Sequence, residues 1–146
     1  MKINYNRSGC PVSTTLDLVG DRWSLIIIRD IFLGRTTFSH FLSAPEKIAT
    51  NILRDRLSKL MNFEIINFRI DPNNKKIKQY YLTDKGIDLY PILYEMSSWS
   101  IKHLEFDIHP LAQQWLEDNE GKSASDIIQE TISHYIVQRN EILNLK

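Results

Sequence analysis

Residues 38–82 carry two different periodicities in a fixed order, and few folds accommodate both. Phe38-Ser39-His40-Phe41-Leu42 is a short apolar-periodic piece and Ser43-Ala44-Pro45-Glu46-Lys47 a turn-rich break. Ile48, Ile52, Leu53, Leu57, Leu60 and Met61 then recur at helical spacing. Two strand-like stretches follow. From Glu64 to Ile70, Ile66, Phe68 and Ile70 alternate with Asn67 and Arg69, and Lys76 to Leu82 has a β-branched and aromatic bias. Asp71-Pro72-Asn73-Asn74 between them is a turn by composition. Helix, tight break, helix and hairpin are the layout of a winged helix-turn-helix. The pattern predicts an α+β, mostly helical fold in which helices added on the N- and C-terminal sides form a dimer interface.

The second helix of the pair has a polar side. Thr50, Asn51, Arg54, Asp55 and Ser58 lie off its apolar stripe, which makes that side either an ordinary solvated face or a face that reads bases. Lys75, Lys76 and Lys78 cluster at the exit of the hairpin turn. A basic tip beside an exposed polar helix suits a duplex, where phosphates need cations and base edges need donors and acceptors. The expected DNA-contact set is Ser39, Thr50, Asn51, Arg54 and Ser58 with Arg35, Lys47, Lys75, Lys76 and Lys78.

Charge is distributed to match. The chain of 146 residues is neutral overall, yet residues 1–82 carry +6 and residues 83–146 carry −6. A basic half holding the reading motif and an acidic half beside it fit a nucleic-acid binder with a separate module, or two halves that attract each other. The longest aliphatic run is Leu25-Ile26-Ile27-Ile28, and Met1-Lys2-Ile3-Asn4-Tyr5 has no apolar core of a secretory signal, so a cytoplasmic location without membrane contact is expected.

In chain order, Met1 to Gly9 reads as a flexible arm. Pro11 suits a first helical position, with Val12, Leu16 and Val19 at helical spacing and Gly20 as the stop. The next helix, Arg22 to Leu33, is apolar nearly all round and is expected at the centre of the core. Gly34 closes it, and Arg35-Thr36-Thr37 reads as a short strand.

These residues carry a resemblance. Cys10-Pro11-Val12, Gly20-Asp21-Arg22-Trp23-Ser24-Leu25 with Ile28-Arg29-Asp30, Phe38 with Phe41, Ile48-Ala49-Thr50-Asn51-Ile52-Leu53 with Arg56-Leu57 and Leu60, and Tyr81-Leu82-Thr83-Asp84-Lys85-Gly86 follow one another in a specific order. Over roughly residues 10–105 the chain resembles the HxlR-type family of bacterial transcriptional regulators. The resemblance implies a dimeric winged-helix DNA binder of the cytoplasm, mostly a repressor and sometimes an activator. Two departures stand out. The family usually has glycine where Glu64 stands, which implies a differently shaped turn out of the recognition helix, and often arginine near Thr37, which implies one phosphate contact fewer.

Beyond the hairpin, Thr83 is the expected cap of one long apolar helix running to Phe106, with Ile87, Leu89, Leu93, Tyr94, Trp99, Ile101 and Leu104 along it and Pro91 inside it, either kinking it or leaving one carbonyl unpaired. Its apolar surface exceeds what one small domain needs. Leu89, Leu93, Met96, Trp99 and Ile101, together with Val12 and Leu16, are the expected homodimer seam, the alternative being packing on the same domain. After His109-Pro110 come a short helix with Leu111, Ala112, Trp115 and Leu116, then a loop at residues 119–122. Ser123-Ala124-Ser125-Asp126 reads as a capping box for a last helix with a stripe of Ile128, Ile132, Tyr135, Ile136, Ile142 and Leu143, packed on the dimer helix or on the other subunit. The expected organisation is thus 1–82 as the DNA-binding region, 83–109 as the dimerisation helix and 110–146 as a helical extension.

No constellation for catalysis, metal or cofactor emerges. His40, His103, His109 and His134 are isolated from cysteine or carboxylate partners at ligand spacing and are expected on solvated faces. Cys10 is the one reactive group. It precedes Pro11 at a helix N-terminus, where the positive dipole end favours thiolate. As the single cysteine it would have to oxidise to an intersubunit or mixed disulfide. It is either a sensor of oxidants or electrophiles, a role that the resemblance to the family implies for a cysteine at this position, or an inert packed thiol. The leading expectation is a double-stranded-DNA-binding homodimeric repressor responding to redox or electrophile stress or to a small effector. The rival is a protein-interaction module that kept the fold and lost its DNA.

Overall fold

The computed structural model describes residues 7–145, so most of the expected N-terminal arm lies outside the described residues. Of its described part, Arg7 pairs with Asp17, which ties the arm's end to the first helix. Helix α1 spans Pro11–Val19 and ends at Gly20, as its Pro-first and Gly-last composition predicts. Helix α2, Ser24–Phe32, begins two residues later than expected because Asp21 accepts the backbone N–H groups of Trp23 and Ser24 and so terminates the turn before it. Its Ile27, Ile28 and Ile31 are fully buried, which places it in the core.

Helix α3 is Phe38–Leu42 and helix α4 is Thr50–Asn62, joined by the expected turn. Phe41, Ala44, Ile48, Leu53, Leu57 and Leu60 are buried from this pair, each large aliphatic group adding roughly 1.5–3 kcal/mol of burial. Strands β1, Ile66–Ile70, and β2, Lys78–Leu82, pair antiparallel with Ile66 opposite Leu82 and Ile70 opposite Lys78. They start two residues later than the sequence pattern predicts at each strand. Arg35-Thr36-Thr37 is not a strand. It makes one sheet-like bond, from Tyr80 N–H to the Thr36 carbonyl at 2.7 Å, because Thr37 is already committed to capping α3.

The expected long helix from Thr83 to Phe106 is two helices. Thr83 caps α5, Asp84–Ile87, and α6, Tyr90–His103, begins anew. Pro91 sits in the first turn of α6, where its missing N–H has no partner to lose, so it opens a helix rather than kinking one. Leu104 and Phe106 fall in the irregular segment after α6. Gly86 is required by close approach: a Cβ there would lie 2.1 Å from the Ile65 carbonyl oxygen.

One compact unit ends at Asp88 and a second begins at Leu89. The second holds α6, α7 (Pro110–Asp118) and α8 (Ala124–Leu143). Tyr90 of α6 is buried and hydrogen-bonded to Thr131 of α8, and the Tyr94 and Trp115 rings meet edge-on at 6.3 Å. Ile127 and Tyr135 are the buried residues of α8; Ile127 lies one position ahead of where the predicted stripe begins. Ser123 makes the forward half of its capping box, accepting from Asp126 N–H.

Candidate nucleic-acid interface

Helix α4 divides as its sequence predicts: Leu53, Leu57 and Leu60 face the core, while Thr50, Asn51, Arg54, Asp55 and Ser58 are exposed. Two charge clusters hold it in place. In the first, one oxygen of Asp21 accepts the Trp23 and Ser24 N–H groups and Arg56 Nε, each at 2.9 Å; the other accepts the Ser24 hydroxyl, with Lys59 Nζ 3.6 Å away. Burial works to raise the Asp21 carboxyl, but the bonds from Ser24 and Trp23 and the Arg56 charge outweigh it and hold the pKa down at about 2. One carboxylate thus starts α2 and anchors α4.

In the second cluster, Asp30 is 1% exposed and accepts from Arg29 at 2.8 Å and from Arg35 at 2.8 Å. Arg29 also grips Glu46 with two bonds, at 2.6 and 3.0 Å. Arg29 in turn holds the Glu46 carboxyl below the usual carboxylate range. Glu46 belongs to the break between α3 and α4, so the network ties that break to α2. Lys47 follows with a left-handed backbone, φ 54°.

The expected contact residues separate accordingly. Arg35 is committed to Asp30 through one guanidinium nitrogen. Arg54 is exposed and its guanidinium carbon lies 6.0 Å from the centre of the Phe38 ring; the ion pair with its neighbour that sequence proximity allows is absent, since Asp55 pairs with Arg56. Ser39 is exposed with its hydroxyl 3.2 Å from that of Thr37. Lys75 and Lys76 are exposed in the hairpin turn, whereas Lys78 lies over the Phe68 ring at 4.3 Å.

The turn out of α4 has a left-handed residue, Glu64, at φ 59°, which is the conformation glycine adopts freely. Thr37, at the other departure from the family pattern, is the N-cap of α3: it accepts His40 N–H, and His40 Nδ1 accepts the Thr36 and Thr37 N–H groups in return. His109 caps α7 in the same manner, through Leu111 N–H. Both histidines are exposed, as expected, and their rings in addition accept backbone N–H groups at helix starts. A threonine or histidine standing just before a helical run was the available sign.

Cys10 is exposed and is the N-cap residue of α1. Of the expected seam residues, Val12, Leu16, Met96, Trp99 and Ile101 are exposed, whereas Leu89 and Leu93 are half-buried. Pro91, Ile92, Glu95, Met96 and Trp99 share one open face of α6. Among the described residues no cluster of potential metal ligands occurs, and no helix is long and apolar enough to cross a membrane.

A family model described as an HxlR-like helix-turn-helix matches residues 18–107. The chain is 30% identical over 108 residues to the uncharacterized HTH-type transcriptional regulator sll1512 of Synechocystis sp., covering 74% of this chain and 71% of that one. Its structure is similar to that of PA1607, with 33% identity, a TM-score of 0.64, and 70% of this chain and 72% of that one covered. It is also similar to the redox regulator HypR in its oxidized form, with 28% identity, a TM-score of 0.59, and 68% of this chain and 100% of that one covered.

Proposed function

The chain belongs to the HxlR-like helix-turn-helix family of transcriptional regulators, and on that premise we propose that it is a homodimeric, sequence-specific DNA-binding repressor. The observation that carries the proposal is the split surface of α4: a buried aliphatic side pinned by Asp21 and Arg56, and an exposed side bearing Thr50, Asn51 and Arg54. Such a helix enters a major groove with its side chains on base edges, while the hairpin cations Lys75 and Lys76 hold flanking phosphates. A two-fold dimer would read half-sites about 34 Å apart or a multiple of that spacing. Its seam would use the open face of α6 around Met96 and Trp99, with Val12 and Leu16 of α1 exposed for the same purpose.

Thr37 and Glu64 do not favour the interaction-module reading. The first is engaged in a helix cap and the second in a left-handed turn, so both departures from the family pattern have local structural roles. Control by oxidants or electrophiles acting on Cys10 is supported by the exposure of the thiol and by the similarity to the redox regulator HypR. A gel-shift with the duplex upstream of the chain's own coding sequence, at two salt concentrations, tests DNA binding. A salt-sensitive specific complex is expected; equal, weak retention of that duplex and a scrambled one would overturn the reading.

A further inference from the structure

The Arg54 guanidinium makes no hydrogen bond or ion pair among the described residues, yet it is not unsupported: the Phe38 ring lies under it at 6.0 Å. The neighbouring charges are already satisfied elsewhere. Asp55 pairs with Arg56, and Arg56 with Asp21. An ion pair would fix Arg54 by engaging its N–H groups. A ring face restrains it without engaging any, since the attraction of the cation to the π surface uses none of its N–H donors. Such a group is poised for a planar acceptor pair, and among the base edges of duplex DNA the O6 and N7 edge of guanine is the one a guanidinium matches with two bonds.

We propose that Phe38 is a positioning residue for base reading, holding Arg54 as a preorganised fork for a guanine edge and so setting sequence discrimination at that base pair. This rests on the DNA-reading role of α4. Phe38 is the first residue of α3, so the helix that precedes the recognition helix contributes to specificity without touching a base. The contrast within the same unit is Lys78, whose ammonium lies over Phe68 at 4.3 Å. An ammonium has no plane for a ring to orient, so that stack restrains a cation without aiming it.

The test is a double-mutant cycle between Phe38→Leu and Arg54→Ala, with Phe38→Tyr as rescue. Affinities are measured for the duplex that the wild-type protein enriches from a random library and for a scrambled duplex. Phe38→Leu should weaken the enriched duplex about two- to fivefold and leave the scrambled one unchanged, the range expected of one exposed cation–aromatic contact. Phe38→Tyr should restore the affinity, and Phe38→Leu should have no effect in the Arg54→Ala background. An equal loss on both duplexes, or a loss that persists without Arg54, would overturn the role of Phe38. If Arg54→Ala leaves discrimination intact, the reading role of Arg54 itself fails, and this inference with it. Proton NMR of the wild-type protein provides a check independent of any variant: the Arg54 side-chain protons should be shifted upfield by the ring, and unshifted resonances would overturn the stack.

Discussion

Arg56 Nε donates to Asp21 Oδ1 at 2.9 Å across thirty-five residues of chain. The bond fixes α4 to the residue that starts α2, so the orientation of α4 is tied to the core by a charge as well as by leucines. Because the carboxyl is held down at about 2, below its ordinary 3.8, the stability it adds is fully present above pH 4 and is lost as pH falls through the interval toward 2. Asp21→Ala should lower stability by roughly 2–4 kcal/mol through loss of the cap and the anchored charge. Urea melts between pH 2 and pH 7 check both: the wild type should lose more stability than the variant over the acid limb, and parallel curves would contradict the assignment.

Backbone geometry gives opposite predictions at two nearby positions. Gly86→Ala places a methyl group 2.1 Å from the Ile65 carbonyl oxygen and should cost about 1–3 kcal/mol. Glu64→Gly relieves a left-handed residue and should gain up to about 1 kcal/mol, with Glu64→Ala gaining nothing. Denaturant midpoints at constant slope report both.

Base and phosphate contacts should separate in salt titrations. Arg54→Ala is expected to cost about 1–3 kcal/mol on the operator and to relax preference at one base pair per half-site. Lys76→Ala should weaken operator and random DNA alike and reduce the salt slope by about one unit. Equal losses on both duplexes for Arg54→Ala would mean that the reading face lies elsewhere.

The seam is best probed where α6 is open. Met96→Asp and Trp99→Asp should shift sedimentation from dimer to monomer while leaving helix content unchanged, since both side chains are exposed in the single chain. Leu93→Asp, half-buried in that chain, should damage folding instead. A wild type that sediments as a monomer at micromolar concentration removes the seam.

For Cys10, the expectation is that Cys10→Ser binds DNA as the wild type does but no longer responds to diamide or peroxide. An undiminished response in the variant would exclude the thiol from regulation. Non-reducing electrophoresis then distinguishes an intersubunit disulfide, which doubles the mass, from a mixed one.

The helix pair and the hairpin were legible in the sequence because each rests on local chemistry: the stripe from Ile48 to Leu60, the Pro45 break, and the Asp71-Pro72 turn. What was not legible depends on groups meeting across the chain or on caps outside the usual residue set. Asp21 and Arg56 both belong to recognisable motifs, but spacing does not say that they touch. Arg35 has the composition of a phosphate ligand, and only the fold reveals buried Asp30 beside it. That the exposed rings of His40 and His109 also accept backbone N–H groups is not legible, because imidazole is an uncommon cap acceptor. Pro91 was read as lying inside a helix because the apolar pattern runs unbroken across a helix start.

Lys47 and Glu64, one before α4 and one after it, both take left-handed backbone conformations although neither is glycine. At such positions the backbone decides which replacements a protein tolerates: glycine, asparagine and aspartate enter the left-handed region more readily than lysine, arginine or glutamate. Judged by side-chain likeness, Lys47→Arg and Glu64→Asp look mild and Lys47→Asn and Glu64→Gly severe. For the folding of this chain Lys47→Asn and Glu64→Gly should be neutral or stabilising while Lys47→Arg changes nothing, so the two ends of α4 should tolerate losses of side-chain length and charge that likeness alone would rank as severe.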